Sequence, residues 1–431
     1  MPIVSIAMSF STSIGYFLPL VCRESYLRGR RVTVKWSWEA EQLANLRADD
    51  SLRLLTVTID TVTDLEDIAA LRPDFERLGG VTGNRLPFAL HDWQLTWCQH
   101  FLNQDSRIRD QPLFYVLRNS QRACVALLPF ILSRRRLGPI KVGFINLLGG
   151  DPSITEIRAP LVEPGYESLT AAAVHGALEK IPDWDWVHWA HISPEFAKAL
   201  SSDAQALSWQ PSVPDFVIDL APSWEEFRAR LKRNVRESLR HSYNSLKREG
   251  ITFEFEAIEQ AAEIRRGLDR YLELHRMRAE FASAAHHPDR FANKVCRDFL
   301  VAVCERLAAR RAVRLFALKV QGQVVAMRLA FVVADSLYLY YSGFDPRWWR
   351  FGVMTTTVAE AIKYAIANGF KTVNLSPINE VSKTRWGPRQ VDYSSAYEPK
   401  PRLRSRLANS AYLKHRSARF LQRIIPLRSW N

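Results

Sequence analysis

The chain has 431 residues, of which 47% are hydrophobic and 24% are charged, and this balance predicts that most of it folds as soluble globular protein in two or three domains. Its five cysteines are scattered and form neither a Cys-x-x-Cys pair nor a Cys/His cluster. This pattern argues against a disulfide framework and a structural zinc site, and it indicates a reducing compartment.

The net charge of +14 permits a polyanion or an anionic membrane surface as a partner. The charge is uneven, because residues 401–431 contain eight Arg and Lys residues and no acidic residue. More than half of the net excess therefore lies in this tail. The rest of the chain is only mildly basic, which disfavours a role in nucleic-acid binding for the whole protein.

Residues 1–52 are predicted to be a leader that is either disordered or a non-native start. Residues 1–22 contain no charged side chain, so the positive charge that precedes the apolar run of a signal peptide is missing. The prolines and the glycine in this run weaken the alternative, which is a membrane-spanning or targeting segment. We therefore expect regular structure to begin at residue 54.

The first half of the chain, residues 53–220, alternates between helix and strand patterns. Apolar residues at helical spacing indicate helices, and short alternating or continuous apolar runs indicate strands. The predicted elements are a strand at 54–60, helices at 65–78 and 92–102, a hairpin of 113–117 with 123–132, a strand at 140–148, a helix at 169–178, and strands at 184–192 and 216–220.

The second half, residues 221–400, begins with a strong helix signal. Ser223 and Glu226 have the spacing of a capping box, and an apolar stripe runs from Trp224 to Leu246. This pattern predicts one helix over 223–249 with a strongly basic exposed face. The elements that follow are a strand at 252–257, helices at 259–281 and 290–309, a hairpin that turns at Gly322, and a strand near 393–397.

The most informative stretch is Ser336–Trp386. A buried strand at 337–341 leads into the loop GFDPRWWRFG, and a helix at 353–368 and a strand from Thr372 follow. Helix N-terminal amides favour anions, and a glycine at the helix start lets a ligand approach the backbone closely. The order of strand, loop, helix and strand therefore predicts an anion-binding unit.

Several segments together resemble one family. They are the hairpin LKVQGQVVAMRLAF, the strand and loop YLYYSGFDPRWWRFG, the basic helix LKRNVRESLRHSYNSLKREG, the ending from Lys383 to Trp386, and, in the first half, WQLTW and ALLPF. These segments look like the CelD-like group of GNAT acyltransferases. That group is associated with bacterial cellulose and exopolysaccharide synthesis and is related to the FemAB-type peptidoglycan aminoacyltransferases. The resemblance extends over residues 54–398.

The resemblance implies a mixed α+β fold made of two tandem GNAT-like acyltransferase folds, at 53–220 and 221–400, followed by a basic amphipathic tail at 401–431. It also implies acetyl-CoA or another acyl-CoA as cosubstrate and no metal. The phosphate loop of the family usually reads Gln/Arg-x-x-Gly-x-Gly/Ala. Here the first Arg and the last Gly are kept, and Arg350 stands at the middle glycine.

By the resemblance, eight residues would hold the cosubstrate. They are Tyr340, Tyr341, Ser342, Arg347, Arg350, Gly352, Val353 and Met354. The two arginines could add charge-assisted bonds to a phosphate, and the strand backbone around Leu339–Ser342 would polarise the thioester carbonyl. The alternative for the loop is a solvated basic turn before an ordinary helix.

Three residues are candidates for handling the acceptor. Glu380 could act as a base, and Lys383 could bind a phosphate or carboxylate of the acceptor. The alternative for this pair is a surface ion pair at three-residue spacing. His275 lies on an apolar helical stripe, where a core histidine is the alternative to a site residue.

The predicted function is that of an acyl-CoA-dependent N- or O-acyltransferase that acts in the cytoplasm on an envelope or exopolysaccharide precursor. Its acceptor would be a saccharide or a lipid-linked molecule, and residues 402–425 would suit peripheral contact with an anionic inner-membrane surface. One alternative is a FemAB-like transferase that uses aminoacyl-tRNA, the one nucleic acid expected as a partner. Another is a non-catalytic scaffold in polysaccharide biosynthesis.

Overall fold

The computed structural model describes residues 32–37, 56–104, 108–137, 140–150, 154–203, 206–281, 287–377 and 380–424. Within these ranges the chain forms twelve α-helices and fourteen β-strands, and the strands belong to one sheet. The predicted mixed α+β class is confirmed.

The elements have the following bounds. The strands are β1 (Val32–Ser37), β2 (Thr56–Val62), β3 (Ile108–Asn119), β4 (Cys124–Leu137), β5 (Ile140–Leu147), β6 (Leu161–Val162), β7 (Trp186–Ile192), β8 (Ser208–Asp219), β9 (Phe253–Ile258), β10 (Val313–Val320), β11 (Gln323–Val333), β12 (Ser336–Phe344), β13 (Thr372–Asn374) and β14 (Arg389–Pro399). The helices are α1 (Leu65–Ala70), α2 (Arg72–Val81), α3 (His91–Phe101), α4 (Glu167–Glu179), α5 (Pro194–Asp203), α6 (Trp224–Arg230), α7 (Arg233–Arg248), α8 (Ala261–Glu280), α9 (Lys294–Ala309), α10 (Val353–Ala367), α11 (Val381–Thr384) and α12 (Leu403–Ile424).

The two halves of the molecule build the same central unit. In the N-terminal half (residues 56–219), β5 and β7 pair in parallel and α4 connects them. In the C-terminal half (residues 224–399), β12 and β13 pair in parallel and α10 connects them. The other pairings between described strands are antiparallel.

The halves exchange their last strands. The order of the sheet is β1-β2-β3-β4-β5-β7-β14-β8-β13-β12-β11-β10-β9, and β6 pairs with β4 beside this path. β8, from the end of the N-terminal half, therefore pairs with β13, and β14, from the end of the C-terminal half, pairs with β7. Strands from both halves are neighbours in one continuous sheet. The domain boundary at residues 220–221 therefore remains a prediction.

Helices cover both faces of the sheet in the C-terminal half. Tyr338 and Tyr340 of β12 pack into a core with α8, α9 and α3, whereas Leu337 and Leu339 pack against α6, α7 and α10. This is the alternation that a strand buried on both faces requires. The anion-binding unit predicted from the sequence therefore lies between two helical layers.

Two helices expected to be continuous are broken. The helix predicted over 223–249 is interrupted at Leu231, whose backbone is extended, so α6 and α7 are separate. The N-cap half of the predicted capping box is confirmed, because Ser223 Oγ accepts a hydrogen bond from the Glu226 amide at 3.2 Å, while the Glu226 carboxylate accepts from Ser223 Oγ at 3.0 Å. The helix predicted over 65–78 is interrupted at Leu71, since Pro73 suits the first turn of a new helix.

The predicted leader contains one described segment. Residues 32–37 form β1, which pairs antiparallel with β2 at one edge of the sheet. Regular structure therefore begins before residue 54, contrary to the expectation, while the rest of residues 1–52 lies outside the described residues. No helix in the described part of the chain is long and apolar enough to cross a membrane.

Candidate active site

The site is an opening between the two parallel strands of the C-terminal half. β12 and β13 pair only from Ser336 to Tyr338 and then diverge. On its other side β12 contains a bulge, because the register with β11 shifts by one residue between Ser342 and Leu339. Beyond Tyr338, β12 has no further pairing with β13, and the two strands leave a gap between them.

The loop after β12 is shaped for the start of a helix. Asp345 is buried, and its side chain accepts the Arg347 amide at 3.0 Å. Gly352 has a left-handed backbone with φ of 64° and leads directly into α10. The first amides of a helix have no partner within it, so those of Val353 and Met354 point out of the helix start. This geometry suits an anion.

Neither arginine of the loop is buried. The Arg347 guanidinium donates to Asp345 at 2.6 Å, and Arg350 donates to Glu249 at 3.0 Å. Their side chains are 75% and 70% exposed. Each guanidinium already forms a salt bridge. A phosphate at the loop would therefore share Arg347 with Asp345 and Arg350 with Glu249.

α7 lies against the loop and occupies the space beside Gly352. A Cβ on Gly352 would lie 2.6 Å from Ser242 Oγ. The absence of a side chain at this glycine therefore serves the packing of α7, and the approach of a ligand to the same backbone stays a prediction. Close packing also brings the basic face of α7 next to the start of α10.

Lys383 lies across the gap from β12 and binds the loop that follows β13. Its ammonium group donates to Ser376 Oγ at 3.0 Å and to the carbonyl of Pro377. Ser376 has a left-handed φ of 67°, an uncommon backbone for a residue other than glycine. Burial lowers the pKa of Lys383, while the nearby Glu156 and Glu380 act in the opposite direction.

Glu156 comes from the N-terminal half. The connection between β5 and α4 crosses to β12, where Tyr338 Oη donates to the Glu156 carboxylate at 2.8 Å and Tyr340 Oη donates to the carbonyl of Ile154 at 2.6 Å. Burial raises the pKa of Glu156 to about 7, although Lys383 and the Tyr338 hydrogen bond lower it. A carboxylate with this pKa can exchange protons near neutral pH.

A second carboxylate, Asp215 on β8, is fully buried beside the same gap. It accepts from Asn374 Nδ2 at 2.6 Å and from the Phe216 amide at 3.1 Å. Burial raises the pKa of Asp215 to about 6, and the Asn374 hydrogen bond acts in the opposite direction. The strand exchange therefore delivers a titratable group of the N-terminal half to the C-terminal site.

Two arginines balance these carboxylates. Arg278 of α8 donates to Ser342 Oγ at 2.6 Å, and Arg328 of β11 donates to the carbonyl of Leu339 at 3.1 Å. Burial lowers the pKa of Arg328 to about 10. Since both guanidiniums bind β12 within the bulge, they hold its shape as well as supplying positive charge.

His275 has both ring nitrogens committed to the backbone. Nδ1 lies 3.0 Å from the Ser342 carbonyl, and Nε2 accepts the Arg290 amide at 3.2 Å. Burial lowers the pKa of His275 to about 4, so the ring is neutral at neutral pH. The ring therefore links α8 to the end of β12 and to the segment at Arg290, and a role in acceptor handling stays a prediction.

The remaining predicted residues lie around the same gap. Tyr341 is half-buried with its ring 5.9 Å from that of His275, and Glu380 is half-buried at the start of α11, where it accepts from Ser382 Oγ at 3.0 Å. Among the described residues there is no group of three or more His, Cys, Asp or Glu side chains that could hold a metal ion.

Glu156 and Asp215 were missed by the sequence analysis, and so was Arg328 as a site residue. Arg328 and Asp215 carried a usable signal, because each is a charged residue within an apolar strand. Glu156 carried none, since it lies in an irregular connection far from the site in sequence.

Comparison with known proteins agrees with this geometry. Residues 233–386 match the family described as "Acetyltransferase (GNAT) domain". No curated protein is detectably similar in sequence. The C-terminal half is therefore similar to a GNAT acetyltransferase domain, and its β12–α10–β13 unit lies within the matched range.

Solved structures are similar over most of the chain. FemX matches with a TM-score of 0.51 at 11% identity, over 75% of this chain and 95% of its own. A conserved protein of unknown function from Bacteroides thetaiotaomicron matches with a TM-score of 0.47 at 13% identity, over 77% of this chain and 97% of its own. A tandem GNAT protein from the clavulanic acid biosynthesis pathway matches with a TM-score of 0.40 at 11% identity, over 80% and 99%. At such low identity the similarity to FemX concerns the fold.

Proposed function

We propose that the protein is an acyl-CoA-dependent acyltransferase whose reaction takes place in the gap between β12 and β13. The observation that carries this proposal is the convergence of three features at one point. They are the divergence of β12 from β13, the helix start at Gly352, and the electrostatic interaction of Lys383 with Glu156.

The donor would lie across the helix start and the gap. The amides of Val353 and Met354 would bind the pyrophosphate of the donor, with Arg350 supplying positive charge beside it. The thioester carbonyl would lie in the gap where β12 diverges from β13, where electrostatic stabilisation of the developing oxyanion is most effective. Arg278, Arg328 and His275 keep this strand in shape.

The acceptor would be activated by a carboxylate. Its nucleophilic nitrogen or oxygen attacks the thioester carbon, the new C–N or C–O bond forms, and the C–S bond breaks. The proton of the nucleophile passes to Glu156, and the thiolate leaves and takes up a proton. We assign the role of base to Glu156 because its pKa is near 7. Glu380 would instead stabilise the positive charges of Lys383 and Arg278.

Calorimetric titration with acetyl-CoA and with longer acyl-CoAs tests the donor site. Arg350→Gln should weaken binding about three- to tenfold, and Glu249→Gln should tighten it, because removal of the carboxylate frees Arg350 for a phosphate. Changes of equal sign in the two variants would assign the pair to folding alone. A protein that binds no acyl-CoA would contradict the proposal.

The exposed face of α7 supports a second candidate, a FemAB-like transferase that uses aminoacyl-tRNA. Arg240, Lys247 and Arg248 are exposed there, near the loop that would hold the donor. A tRNA held by this face would bind with a steep dependence on salt concentration. Tight acyl-CoA binding together with salt-independent, weak tRNA binding would exclude this candidate.

The acceptor would be an envelope or exopolysaccharide precursor, and α12 would bring the protein to an anionic membrane. Leu403 and Leu407 are one helical turn apart, and their residues are 76% and 62% exposed beside Arg402 and Arg406. Flotation with vesicles of anionic and of neutral lipid tests this contact.

A scaffold without catalysis would bind neither acyl-CoA nor acceptor in the gap.

A further inference from the structure

Two arginines lie at the bulge of β12 without a carboxylate partner. Arg278 of α8 donates to Ser342 Oγ at 2.6 Å, and Arg328 of β11 donates to the carbonyl of Leu339 at 3.1 Å, so the pair binds both ends of the bulge. Neither guanidinium forms a salt bridge with any residue that the structure describes. Because a partly buried charge is costly unless an opposite charge compensates it, this pair is suited to bind an anion.

Three hydrogen-bond donors at the pair have no partner in the described part of the chain. They are Arg278 Nε, Arg328 Nε and the hydroxyl of Tyr271. Tyr271 lies on α8, is fully buried, and interacts electrostatically with both arginines. An unsatisfied buried donor costs free energy, and all three of these atoms can donate to the same kind of group. An oxyanion would satisfy them together.

The arginines and the groups around them remain in contact with solvent. Arg278, Arg328, Tyr341, Glu156 and Lys383 are all half-buried, so part of each residue is exposed. Arg328 also interacts electrostatically with Glu156, the base of the proposed reaction. A ligand bound by the arginines would therefore lie in the same solvent-accessible region as that base.

The surrounding charges favour a carboxylate over a phosphate. Burial lowers the pKa of Arg328, and the neighbouring Arg278 lowers it further, so an anion between the two would offset their repulsion. Glu156 and Glu380 already supply negative charge nearby. They would repel a phosphate dianion more strongly than a carboxylate with a single charge. The two oxygens of a carboxylate also match the fork of a guanidinium.

We propose that Arg278 and Arg328 bind a carboxylate of the acceptor, with the Tyr271 hydroxyl as a third donor. This inference rests on the proposed acyltransferase function and specifies its acceptor as an acid, such as a uronic acid or a peptide with a free carboxyl terminus. The carboxylate is bound and not transformed. It would orient the acceptor so that the nucleophile lies near Glu156.

The acceptor class is tested by calorimetry on the full-length protein without donor. Galacturonic acid and galactose differ only at C6, and galactose 1-phosphate carries a phosphate instead of the carboxylate. Alanyl-alanine and its amide form a second pair. We expect at least one acid to bind about tenfold more tightly than its neutral partner, and the pair that shows this difference identifies the source of the carboxylate. Equal binding or no binding within both pairs, or tighter binding of the phosphate, would overturn the inference.

The arginine pair itself is tested with matched variants on neighbouring strands. Arg328→Gln removes a guanidinium without a salt bridge, whereas Arg314→Gln removes one on β10 that donates to Tyr364 at 2.8 Å and pairs with Glu259 at 3.5 Å. Arg328→Gln should reduce the preference for the acid to about threefold or less, and Arg314→Gln should retain it. An unchanged preference in Arg328→Gln would contradict the site.

Tyr271→Phe provides a test that does not depend on the folding of Arg328→Gln. Without ligand, the melting temperature should stay the same or rise, because the variant loses a buried hydroxyl that has no partner among the described residues. Binding of the acid should weaken about three- to tenfold. A lower melting temperature with unchanged binding of the acid would show that the hydroxyl serves the fold, and would overturn its assignment to the site.

The two proposals fail in different ways. If the acid binds as expected but no acyl-CoA binds or reacts, the proposed acyltransferase function fails and the carboxylate site stands. If acyl-CoA is turned over but acidic and neutral acceptors react equally, only the carboxylate site fails.

Discussion

The two halves contain the same parallel strand pair and use it differently. In the C-terminal half a short loop from Asp345 to Gly352 joins β12 to α10, and the first turn of α10 contains no acidic residue. In the N-terminal half the connection from β5 to α4 is much longer, and Glu167 at its end accepts the Gly165 amide at 2.8 Å. A carboxylate at a helix start repels other anions, so α4 is unsuited to a phosphate.

The long connection of the N-terminal half also fills the position that corresponds to the gap between β12 and β13. The Arg158 amide donates to His191 Nδ1 at 2.8 Å, at the end of β7 where the corresponding gap would open. The same connection then delivers Glu156 to β12. In the proposed site, one copy of the fold would bind the donor, and the other would supply a side chain to it. This division shows how a duplicated fold can build one site from two copies.

Glu156→Gln should produce the largest effect on activity. If the N-terminal half supplies the base, kcat should fall by about 10² to 10³, and the rise of the wild-type rate through about pH 7 should disappear. Steady-state kinetics from pH 5.5 to 9 measure both quantities. Glu380→Gln is the matched control within the C-terminal half, and we expect it to keep the pH dependence. A larger loss of kcat in Glu380→Gln than in Glu156→Gln would show that Glu380 is the base.

Gly343→Ala should be the most destabilising substitution in the C-terminal unit. The new Cβ would lie 2.2 Å from His275 N and 2.4 Å from the Leu274 carbonyl carbon, and neither backbone group can move without shifting α8 off β12. We expect a loss of about 3 kcal/mol or more in the free energy of unfolding, measured by chemical denaturation. A loss below about 1 kcal/mol would mean that α8 does not lie directly on this strand.

Tyr338→Phe tests how the two halves are joined at the site. The Tyr338 hydrogen bond lowers the pKa of Glu156, so its removal should raise that pKa and move the rising limb of the pH–rate profile to higher pH. The rate at pH 7 should fall about tenfold, since less Glu156 is ionised and its position is less defined.

Tyr340→Phe is the matched control, because it removes a neighbouring hydroxyl that binds the Ile154 carbonyl and not Glu156. It should change stability but leave the midpoint of the pH–rate profile in place. Equal shifts of the midpoint in both variants would show that Tyr338 acts only by holding the connection.

His175→Gln tests the contact that holds the exchanged strand β14 in the N-terminal half, with a smaller expected effect. His175 Nε2 lies 3.1 Å from Glu398 of β14, and Nδ1 contacts Asp203 of α5. Burial lowers the pKa of His175, but the two carboxylates outweigh it and raise the pKa to about 9.

Because this pKa is raised above that of the unfolded chain, the stabilising contribution is complete below about pH 6.5 and is lost as the pH rises through about 9. The variant should be less stable than the wild type by about 1 kcal/mol at pH 6 and nearly equal to it above pH 9.5. Denaturation at both pH values measures the difference. A difference that does not depend on pH would show that the contacts of His175 are not ionic.

Much of the local structure was predictable because it depends on neighbouring residues. The strand at 337–341, the helix at 353–368 and the capping box at Ser223 all follow from periodicity and from the chemistry of helix ends. The break at Leu231 was not predictable, since the apolar stripe continues across it and only packing against the sheet favours two helices. The pairing of Arg347 with Asp345 was also missed, although the two residues are close in sequence.

The sequence by itself predicted most of the elements and the order of strand, loop, helix and strand in residues 336–386, with Lys383 near its end. Each of these follows from a short segment in which apolar residues recur with the period of a helix or a strand. Only the tertiary structure decided that β8 and β14 change places, which brings Asp215 near Lys383, and that the connection from β5 to α4 brings Glu156 to β12. Such contacts join residues far apart in the sequence, as the hydrogen bond from Tyr338 to Glu156 illustrates, which spans 182 positions. No local pattern encodes them, because they result from burying the faces of all the elements at once.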